Sequence, residues 1–274
     1  MRRKRNNTTG TGWTGLGLAA AGLLALAAPA GAAPAKGEDN ARAEALILRD
    51  NAQRGDLKAE IELGHRYYDG LGVARNPREA LEWWAQAAQE GSGYALCRVA
   101  DCLHRGDGVP RNDAQAAALW RRAAEKGDPE GLTRFGWACA NGCGVPRDAK
   151  EAVRWLRQGA DRGDPEAQFM LGWHCENGEG VEKNAPEAVA WYRRAAEQHH
   201  GAAQNSLGVC YAGGIGVEKD LPEAYVWFGL AARGGDAKAL ENQKAIAGHL
   251  SFLQRRKASQ RIEEFLRHAE KPAA

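Results

Sequence analysis

The sequence repeats itself every 36 residues, and five copies follow one another from Asp56 to Gly235. The third copy (128–163) is DPEGLTRFGWACANGCGVPRDAKEAVRWLRQGADRG, and the fourth begins DPEAQFMLGWHCENGEGV. No copy contains an insertion or a deletion. Self-similarity at a fixed period of about 20–50 residues indicates a solenoid, in which each unit packs on its neighbours. We number the repeat positions 1 to 36, starting at Asp56, Ser92, Asp128, Asp164 and His200.

The first half of each copy predicts a short helix. Position 1 is Asp or Ser in four copies and His in the fifth, so four copies open with a strong N-cap. Position 8 is always large and apolar, and position 9 is always Gly or Ala, a pair that suits a close crossing between helices. Position 15 is always glycine, the residue that most often ends a helix in the left-handed conformation.

The second half of each copy predicts a second helix. Position 21 is Asn or Asp and position 24 is Glu or Gln, which together indicate a capping box. The apolar stripe that follows includes position 28, so we expect that position to be core in every copy. Glycine at position 36 ends the helix in four copies. The residues at position 28 are Trp83, Leu119, Trp155, Trp191 and Trp227.

These residues form the pattern Ala…Leu-Gly…Tyr…Gly-x-Gly-Val…Ala…Trp-Tyr…Ala-Ala, which is nearly complete between Ala167 and Ala196. The pattern resembles the Sel1-like repeat family, relatives of the tetratricopeptide repeat, over 180 of 274 residues. Position 12, usually Tyr in the family, departs from it at Leu103, Cys139 and Cys175. The resemblance implies an all-α, right-handed α-α superhelical solenoid of five helix–turn–helix repeats, 56–91, 92–127, 128–163, 164–199 and 200–235.

Residues 1–32 have the composition of a secretory signal peptide. A basic start is followed by an apolar run from Leu16 to Ala28, and small residues suited to cleavage lie between Ala28 and Ala32. The run is too short for an ordinary membrane-spanning helix, although an uncleaved anchor is the alternative. We therefore expect an exported protein, periplasmic or secreted, with no integral membrane segment after cleavage.

Charge argues against a nucleic-acid partner. Removal of residues 1–32 takes Lys plus Arg from 37 to 33 against 35 Asp plus Glu, so the net charge changes from +2 to about −2. A nearly neutral chain lacks the basic surface that nucleic-acid binding needs.

The segments that flank the repeats are predicted to cover the open ends of the stack. Residues 33–55 comprise a linker and an N-terminal capping helix that resembles the second half of a repeat. Residues 236–274 form C-terminal capping helices, the last of which starts at a capping box made by Ser251 and Gln254 and packs through Phe252, Ile262 and Phe265. Terminal units of a solenoid need such covers because their apolar faces lack a neighbour.

No catalytic or cofactor motif accompanies the repeats. HExxH, a Walker loop, GxSxG and SxxK are all absent from the sequence. The glycine-rich loops GLGV, GDGV, GCGV, GEGV and GIGV occur once per copy, which favours a turn over a phosphate site. We therefore predict no enzymatic activity, no cofactor and no metal. Cysteine-rich relatives have been linked to β-lactam binding or hydrolysis, and a hydrolase of that kind is the less favoured alternative.

Six cysteines leave three interpretations open: small core residues, disulfides, or a metal or thiol site. Cys139 and Cys175 occupy the same position of successive repeats, where helix packing separates backbones by about 8–10 Å, too far for a disulfide. A zinc site around Cys139, Cys143, His174 and Cys175 lacks the tight ligand spacing of known zinc motifs. Core packing is the favoured interpretation, with Cys143 beside the turn as the most exposed thiol.

A partner-binding face is predicted on the first helices. The family resemblance implies a concave face lined by these helices, and positions 6, 10 and 13 are expected to point into it. Aromatic anchors with polar neighbours are typical of protein-binding sites, so we predict a protein or peptide partner. The rings could instead pack internally, or stack on sugars of the cell wall in a peptidoglycan-associated scaffold. The predicted binding residues are His65, Tyr68, Asp101, His104, Trp137, Phe169, Trp173 and Glu176.

Overall fold

The computed structural model describes residues 36–269, and within that range the backbone forms thirteen α-helices and no strand. The predicted signal peptide, residues 1–32, lies outside the described residues. The helices are α1 Lys36–Gln53, α2 Leu57–Asp69, α3 Pro77–Gln89, α4 Gly93–Arg105, α5 Asp113–Glu125, α6 Pro129–Asn141, α7 Ala149–Asp161, α8 Pro165–Asn177, α9 Ala185–Glu197, α10 Gly201–Gly213, α11 Leu221–Arg233, α12 Ala237–Ala247 and α13 Phe252–Ala269.

The chain divides into two compact units, one ending at Gln86 and the other starting at Ala87. The first contains α1, α2 and most of α3, and α1 packs against α2. In the second, each helix from α4 to α11 packs against the next in the chain, and α13 folds back onto α11. Two helices per 36-residue copy, packed on one another through the second unit, confirm the predicted all-α repeat solenoid.

The predicted N-caps are formed in every copy. At position 1, the carboxylates and the Ser92 hydroxyl accept hydrogen bonds from backbone N–H groups of the first turn. The fifth copy is capped as well, because Nδ1 of His200 accepts a hydrogen bond from the Ala203 N–H at 3.2 Å. At position 21, the Asn and Asp side chains accept from the N–H of position 24 at 2.9–3.3 Å.

The reciprocal half of the predicted capping box is absent from the five described copies. The position-21 N–H instead donates to the carbonyl oxygen of position 12, at 2.7 Å in Asn76 and 2.9 Å in Asp220, and this bond closes the loop. The position-24 glutamate is therefore free to accept a hydrogen bond from the indole of position 28, as Glu223 does from Trp227 at 2.8 Å. A complete capping box forms only at Ser251 among the described residues, where both bonds to Gln254 are made.

The expectation that position 28 is core in every copy is wrong for two copies. Trp83 and Trp155 are half-buried, while Trp191 and Trp227 are buried. The reason is that the position-28 indole lies at the edge of the stripe, close to the glutamate one turn earlier. The deepest residue is the next one, position 29, which is buried in all five copies as Trp84, Trp120, Leu156, Tyr192 and Phe228.

Position 29 is accommodated by the small residue at position 9 of the same copy. A Cβ atom added to Gly172 would lie 2.7 Å from the Tyr192 ring, and one added to Gly208 would lie 2.6 Å from the Phe228 ring. These separations are shorter than van der Waals contact. The Leu-Gly pair at positions 8 and 9 therefore marks a helix crossing in which the ring of the second helix rests on the backbone of the first.

Two glycines in each turn perform different tasks. The position-15 glycines end the first helix with φ of 69° to 79°. The position-17 glycines also have positive φ, and Gly144, Gly180 and Gly216 in addition lie against the backbone of the preceding second helix. A Cβ added to Gly144 would lie 1.9 Å from the carbonyl oxygen of Asp113. In the first unit, Gly72 makes the same approach to Ala41, so α1 occupies the place of a second helix.

Position 36 is the left-handed residue that ends the second helix. It is glycine in four copies, with φ of 78° to 104°, but His199 in the fourth copy, with φ of 65°. The His199 ring also contacts the Phe265 ring at a centroid distance of 4.9 Å.

We expect His199→Gly to be more stable than His199→Ala by about 1 kcal/mol, because the left-handed conformation costs a residue with a Cβ about 1–2 kcal/mol. Both variants lose the ring contact with Phe265, so their difference isolates the backbone term. Urea unfolding of the two proteins measures it. Equal midpoints would show that residue 199 is not held in the left-handed conformation.

The C-terminal helix α13 covers the last repeat. Ala258 and Ile262 are buried, and the Phe265 ring contacts Trp227 at 6.0 Å. Gly229 of α11 leaves the space for Ile262, because a Cβ added there would lie 2.3 Å from the isoleucine Cδ1. Phe252, expected to pack with this helix, is 73% exposed, because it lies in the first turn before the stripe that faces α11.

Candidate partner-binding face

Positions 10 and 13 of the first helices lie beside the buried residue at position 29. In the first unit, the His65 and Tyr68 rings both contact the Trp84 ring, at centroid distances of 5.3 and 5.5 Å. Both side chains are half-buried. The predicted binding residues of this unit are therefore held in place by the core ring beneath them.

The same arrangement recurs in the second copy. The buried Asp101 carboxylate accepts a hydrogen bond from the Trp120 indole at 3.1 Å and lies 3.3 Å from the Arg98 guanidinium. The His104 ring contacts Trp120 at 5.5 Å and Trp137 at 5.4 Å. Trp137 is half-buried by this cluster, so the predicted anchor is partly used for internal packing.

Two predicted residues of the fourth copy converge on Tyr192. The Tyr192 hydroxyl donates a hydrogen bond to the Glu176 carboxylate at 2.7 Å, and burial together with this carboxylate raises the pKa of the tyrosine. The Phe169 ring lies 5.9 Å from the Tyr192 ring and stacks on His200 at 4.9 Å. Phe169 and Glu176 are both half-buried.

Trp173 is the most accessible of the eight predicted residues, with 41% of its surface exposed. Its ring meets only the edge of the buried His174 at 5.2 Å among the ring contacts found in the described residues. The next copy places Val209, 39% exposed, at the same repeat position. Positions 10 of copies four and five thus present apolar side chains to solvent.

An apolar pocket of about 340 Å³ adjoins Val209 and was not predicted. It lies among α10, α11 and α12 and is open to solvent. Its sequence signal is weak, because the residues come from three helices and share no motif. Its walls comprise Val209, Ala212, Gly213, Ile215, Phe228, Asn242, Ala245 and Ile246.

The profile of the Sel1 repeat matches residues 57–92, 93–128, 129–164, 165–200 and 201–236. The chain belongs to the Sel1 repeat family. Sel1 repeat proteins are generally protein-interaction scaffolds and are typically non-catalytic. Among residues 36–269 of this Sel1 repeat protein, every helix is too short or too polar to span a bilayer.

Solved Sel1 structures share this architecture. A Sel1 repeat protein from Oxalobacter formigenes is 26% identical with a TM-score of 0.68, and the match covers 88% of this chain and 99% of that one. The protein c5321, a protective antigen present in uropathogenic Escherichia coli strains, displays the same fold. It is 26% identical with a TM-score of 0.54, and the match covers 86% of this chain and 60% of that one. A search of curated protein sequences gave no match.

The six cysteines of this Sel1 repeat protein all lie within the described residues and are free thiols. Five are buried, and only Cys143 is partly accessible. Burial raises the pKa of Cys102, Cys139 and Cys210 to about 12, so these thiols stay protonated and are poor nucleophiles and metal ligands. The structure thus favours core packing over disulfides.

The four residues considered for zinc in the sequence do not form a site. His174 is buried and its Nδ1 donates to the carbonyl oxygen of Glu179 at 2.8 Å, while Cys139 and Cys175 lie in the core. Cys143 instead lies near His104 and Asp113, where one donor atom from each side chain falls within 4.8 Å of the other two. Sequence analysis did not link these three residues, which belong to different repeat positions.

Proposed function

We propose that this Sel1 repeat protein is an exported, non-catalytic scaffold that binds a polypeptide segment along positions 10 and 13 of its first helices. The observation that carries this proposal is the exposed apolar surface of copies four and five. It comprises Trp173 and Val209 at position 10, followed by the pocket beside Ile215. Exposed apolar side chains next to an open pocket are characteristic of interaction sites.

The neighbouring polar groups support recognition of a peptide. The half-buried Glu176 carboxylate, three residues after Trp173, is fixed by the Tyr192 hydroxyl. Groups held in this way lose little conformational freedom when a partner binds, which favours affinity. Each contact point is thus a rigid acceptor or ring, placed by the helix pair beneath it.

A peptide fits this surface better than a cell-wall glycan does. The exposed Trp173 ring could stack on a sugar, but the pocket beside Val209 is lined mainly by apolar groups such as Ile215 and Phe228. Sugar hydroxyls buried there would lose hydrogen bonds to water without replacement, which is unfavourable. Apolar side chains of a peptide would gain from the same burial. The signal-like residues 1–32 support export to the bacterial envelope.

We expect Trp173→Ala to weaken peptide binding at least tenfold, because truncation of an interface anchor often costs about 2 kcal/mol or more. A peptide selected from a random library against the purified protein would be labelled, and its Kd measured by fluorescence anisotropy. The variant should keep its helicity and melt within about 2 °C of the wild type, since the replaced side chain is 41% exposed.

Phe252→Ala is the matched control, because it removes an aromatic ring that is 73% exposed on α13. This variant should bind the peptide as tightly as the wild type. Equal affinity of the Trp173 variant would place the binding surface elsewhere. Binding of peptidoglycan fragments in the absence of any peptide binding would favour the glycan-associated scaffold.

A further inference from the structure

The cluster of His104, Asp113 and Cys143 joins two successive copies of the second unit. His104 lies in the last turn of α4, Asp113 begins α5, and Cys143 follows the glycine that ends α6. These are repeat positions 13, 22 and 16. The corresponding residues at the next two junctions are Ala140, Ala149 and Glu179, then Glu176, Ala185 and Ile215. The repeat architecture therefore does not require the cluster.

The three donor atoms point toward one another. Nδ1 of His104 lies 2.7 Å from Oδ1 of Asp113 and 3.6 Å from Sγ of Cys143. In a tetrahedral zinc site, with bonds of about 2.3 Å to sulfur and 2.0–2.1 Å to nitrogen, the sulfur and nitrogen ligands are about 3.6 Å apart. The oxygen and nitrogen ligands would be about 3.4 Å apart, so the separation of Asp113 Oδ1 from His104 Nδ1 has to increase by less than 1 Å.

The geometry argues against a thiol nucleophile. In a catalytic triad, one imidazole nitrogen meets the nucleophile and the other meets the carboxylate. Here both Asp113 and Cys143 approach the same nitrogen, Nδ1 of His104. A proton cannot pass through the ring in that arrangement, whereas a cation between the three atoms would contact all of them at once.

We propose that His104, Asp113 and Cys143 form a binding site for a zinc ion between the second and third copies. The ligand set combines imidazole, carboxylate and thiolate, which zinc accepts in tetrahedral sites. The His104 and Asp113 side chains are 28% and 29% exposed, so an ion can enter from solvent and keep a fourth position for water or a partner group.

The surroundings hold the ligands in place. The His104 ring contacts both the Trp120 and the Trp137 rings, which fix its orientation. The Gly144 backbone brings the Cys143 turn against the first residue of α5. Arg111 donates to Asp113 Oδ2 at 2.7 Å. Its guanidinium is 62% exposed and can turn toward solvent when the metal enters.

The purified protein, reduced with a non-chelating phosphine, should bind one equivalent of zinc in calorimetry. Zinc at a hundredfold excess over its Kd should raise the Tm by about 5 °C, because it binds only the folded state. Cobalt in place of zinc should give the near-ultraviolet charge-transfer band of a cobalt–thiolate bond. Cys143→Ser should abolish this band, and Cys143→Ser, His104→Ala and Asp113→Asn should each weaken zinc binding at least tenfold.

His249→Asn is the control, because His249 is exposed and lies outside the cluster, and it should leave zinc affinity unchanged. The five buried cysteines remain in Cys143→Ser, so a thiolate band that survives in this variant would overturn the assignment. So would the absence of zinc binding at millimolar concentration. Circular dichroism of each metal-free variant checks that the fold is kept. None of these measurements needs a peptide partner, so the site is tested separately from the proposed scaffold function.

Discussion

Replacement of Gly172 with leucine is expected to lower the free energy of unfolding by about 3 kcal/mol, at the upper end of typical overpacking costs. The reason is the contact between positions 9 and 29, because even a Cβ atom at Gly172 would lie 2.7 Å from the Tyr192 ring and 3.2 Å from the Ala188 carbonyl oxygen. A leucine side chain would force the ring of α9 away from α8. Thermal unfolding followed by circular dichroism should show a decrease in Tm of about 10 °C.

Gly172→Ala gives the sharper test because two effects oppose each other. Alanine in a helix interior is favoured over glycine by about 1 kcal/mol, so propensity alone predicts a more stable protein. The short distance to Tyr192 predicts a less stable one, and we expect the contact to dominate. Gly201→Leu is the control, since a Cβ atom at Gly201 meets no atom within 4 Å. A Gly172 variant as stable as this control would show that the helices do not cross at position 9.

Replacement of Gly144 with alanine is expected to destabilise the protein by about 2–5 kcal/mol. A left-handed conformation with φ of 72° costs a residue with a Cβ about 1–2 kcal/mol. A further cost of about 1–3 kcal/mol follows because the new Cβ would lie 1.9 Å from the Asp113 carbonyl oxygen, so the turn must move away from α5. Urea unfolding of the variant measures the sum.

Gly142→Ala separates the two contributions to the Gly144 result. Gly142 also has a positive φ, 69°, but a Cβ atom there would meet its nearest neighbour, Cβ of Arg147, at 3.4 Å. This variant should therefore show only the conformational cost of about 1–2 kcal/mol. If the two alanine variants were equally stable, the close approach of the turn to the preceding helix would not exist.

The sequence predicts the helices, their caps and their terminal glycines well, because each of these features depends on residues a few positions apart. Asp164 caps α8 and Gly178 ends it, as the local pattern indicates. The same pattern occurs in five copies, so an accidental match in one copy is outweighed by the others. The ends of the repeat stack are less predictable, since Phe252 is exposed although it lies on an apolar pattern.

The sequence does not distinguish the depth of neighbouring aromatic residues. Trp191 and Tyr192 are adjacent, and so are Trp227 and Phe228. The two side chains of each pair project from the helix only about 100° apart, so both fall near the apolar stripe. The residue that faces the position-9 glycine is the more deeply buried of the two. Predicting which residue this is requires knowledge of how the two helices cross. The predicted face has the same difficulty, because contact of Trp137 with His104 depends on the packing of α4 and α6.

The His104, Asp113 and Cys143 cluster shows where local reasoning ends. His104 and Cys143 are 39 residues apart in the sequence. Asp113 is the first residue of a helix, a place where an acidic side chain is common without any ligand. A search for ligand pairs three or four residues apart cannot find such a set. A comparison of copies can, because a chemically reactive residue that occurs in only one of five copies has no architectural cause.

The position-17 glycines have a consequence for how such chains change over generations. Gly144 and Gly180 lie against backbone atoms of the preceding helix, the carbonyl of Asp113 in one junction and of Ala149 in the next. A contact between backbone atoms depends little on which side chains surround it. A duplicated or transplanted copy would therefore fit without compensating mutations, and a gene could lengthen by whole copies. Outward-facing residues could then diversify independently in each copy, as the lone cysteine-containing turn at Cys143 illustrates.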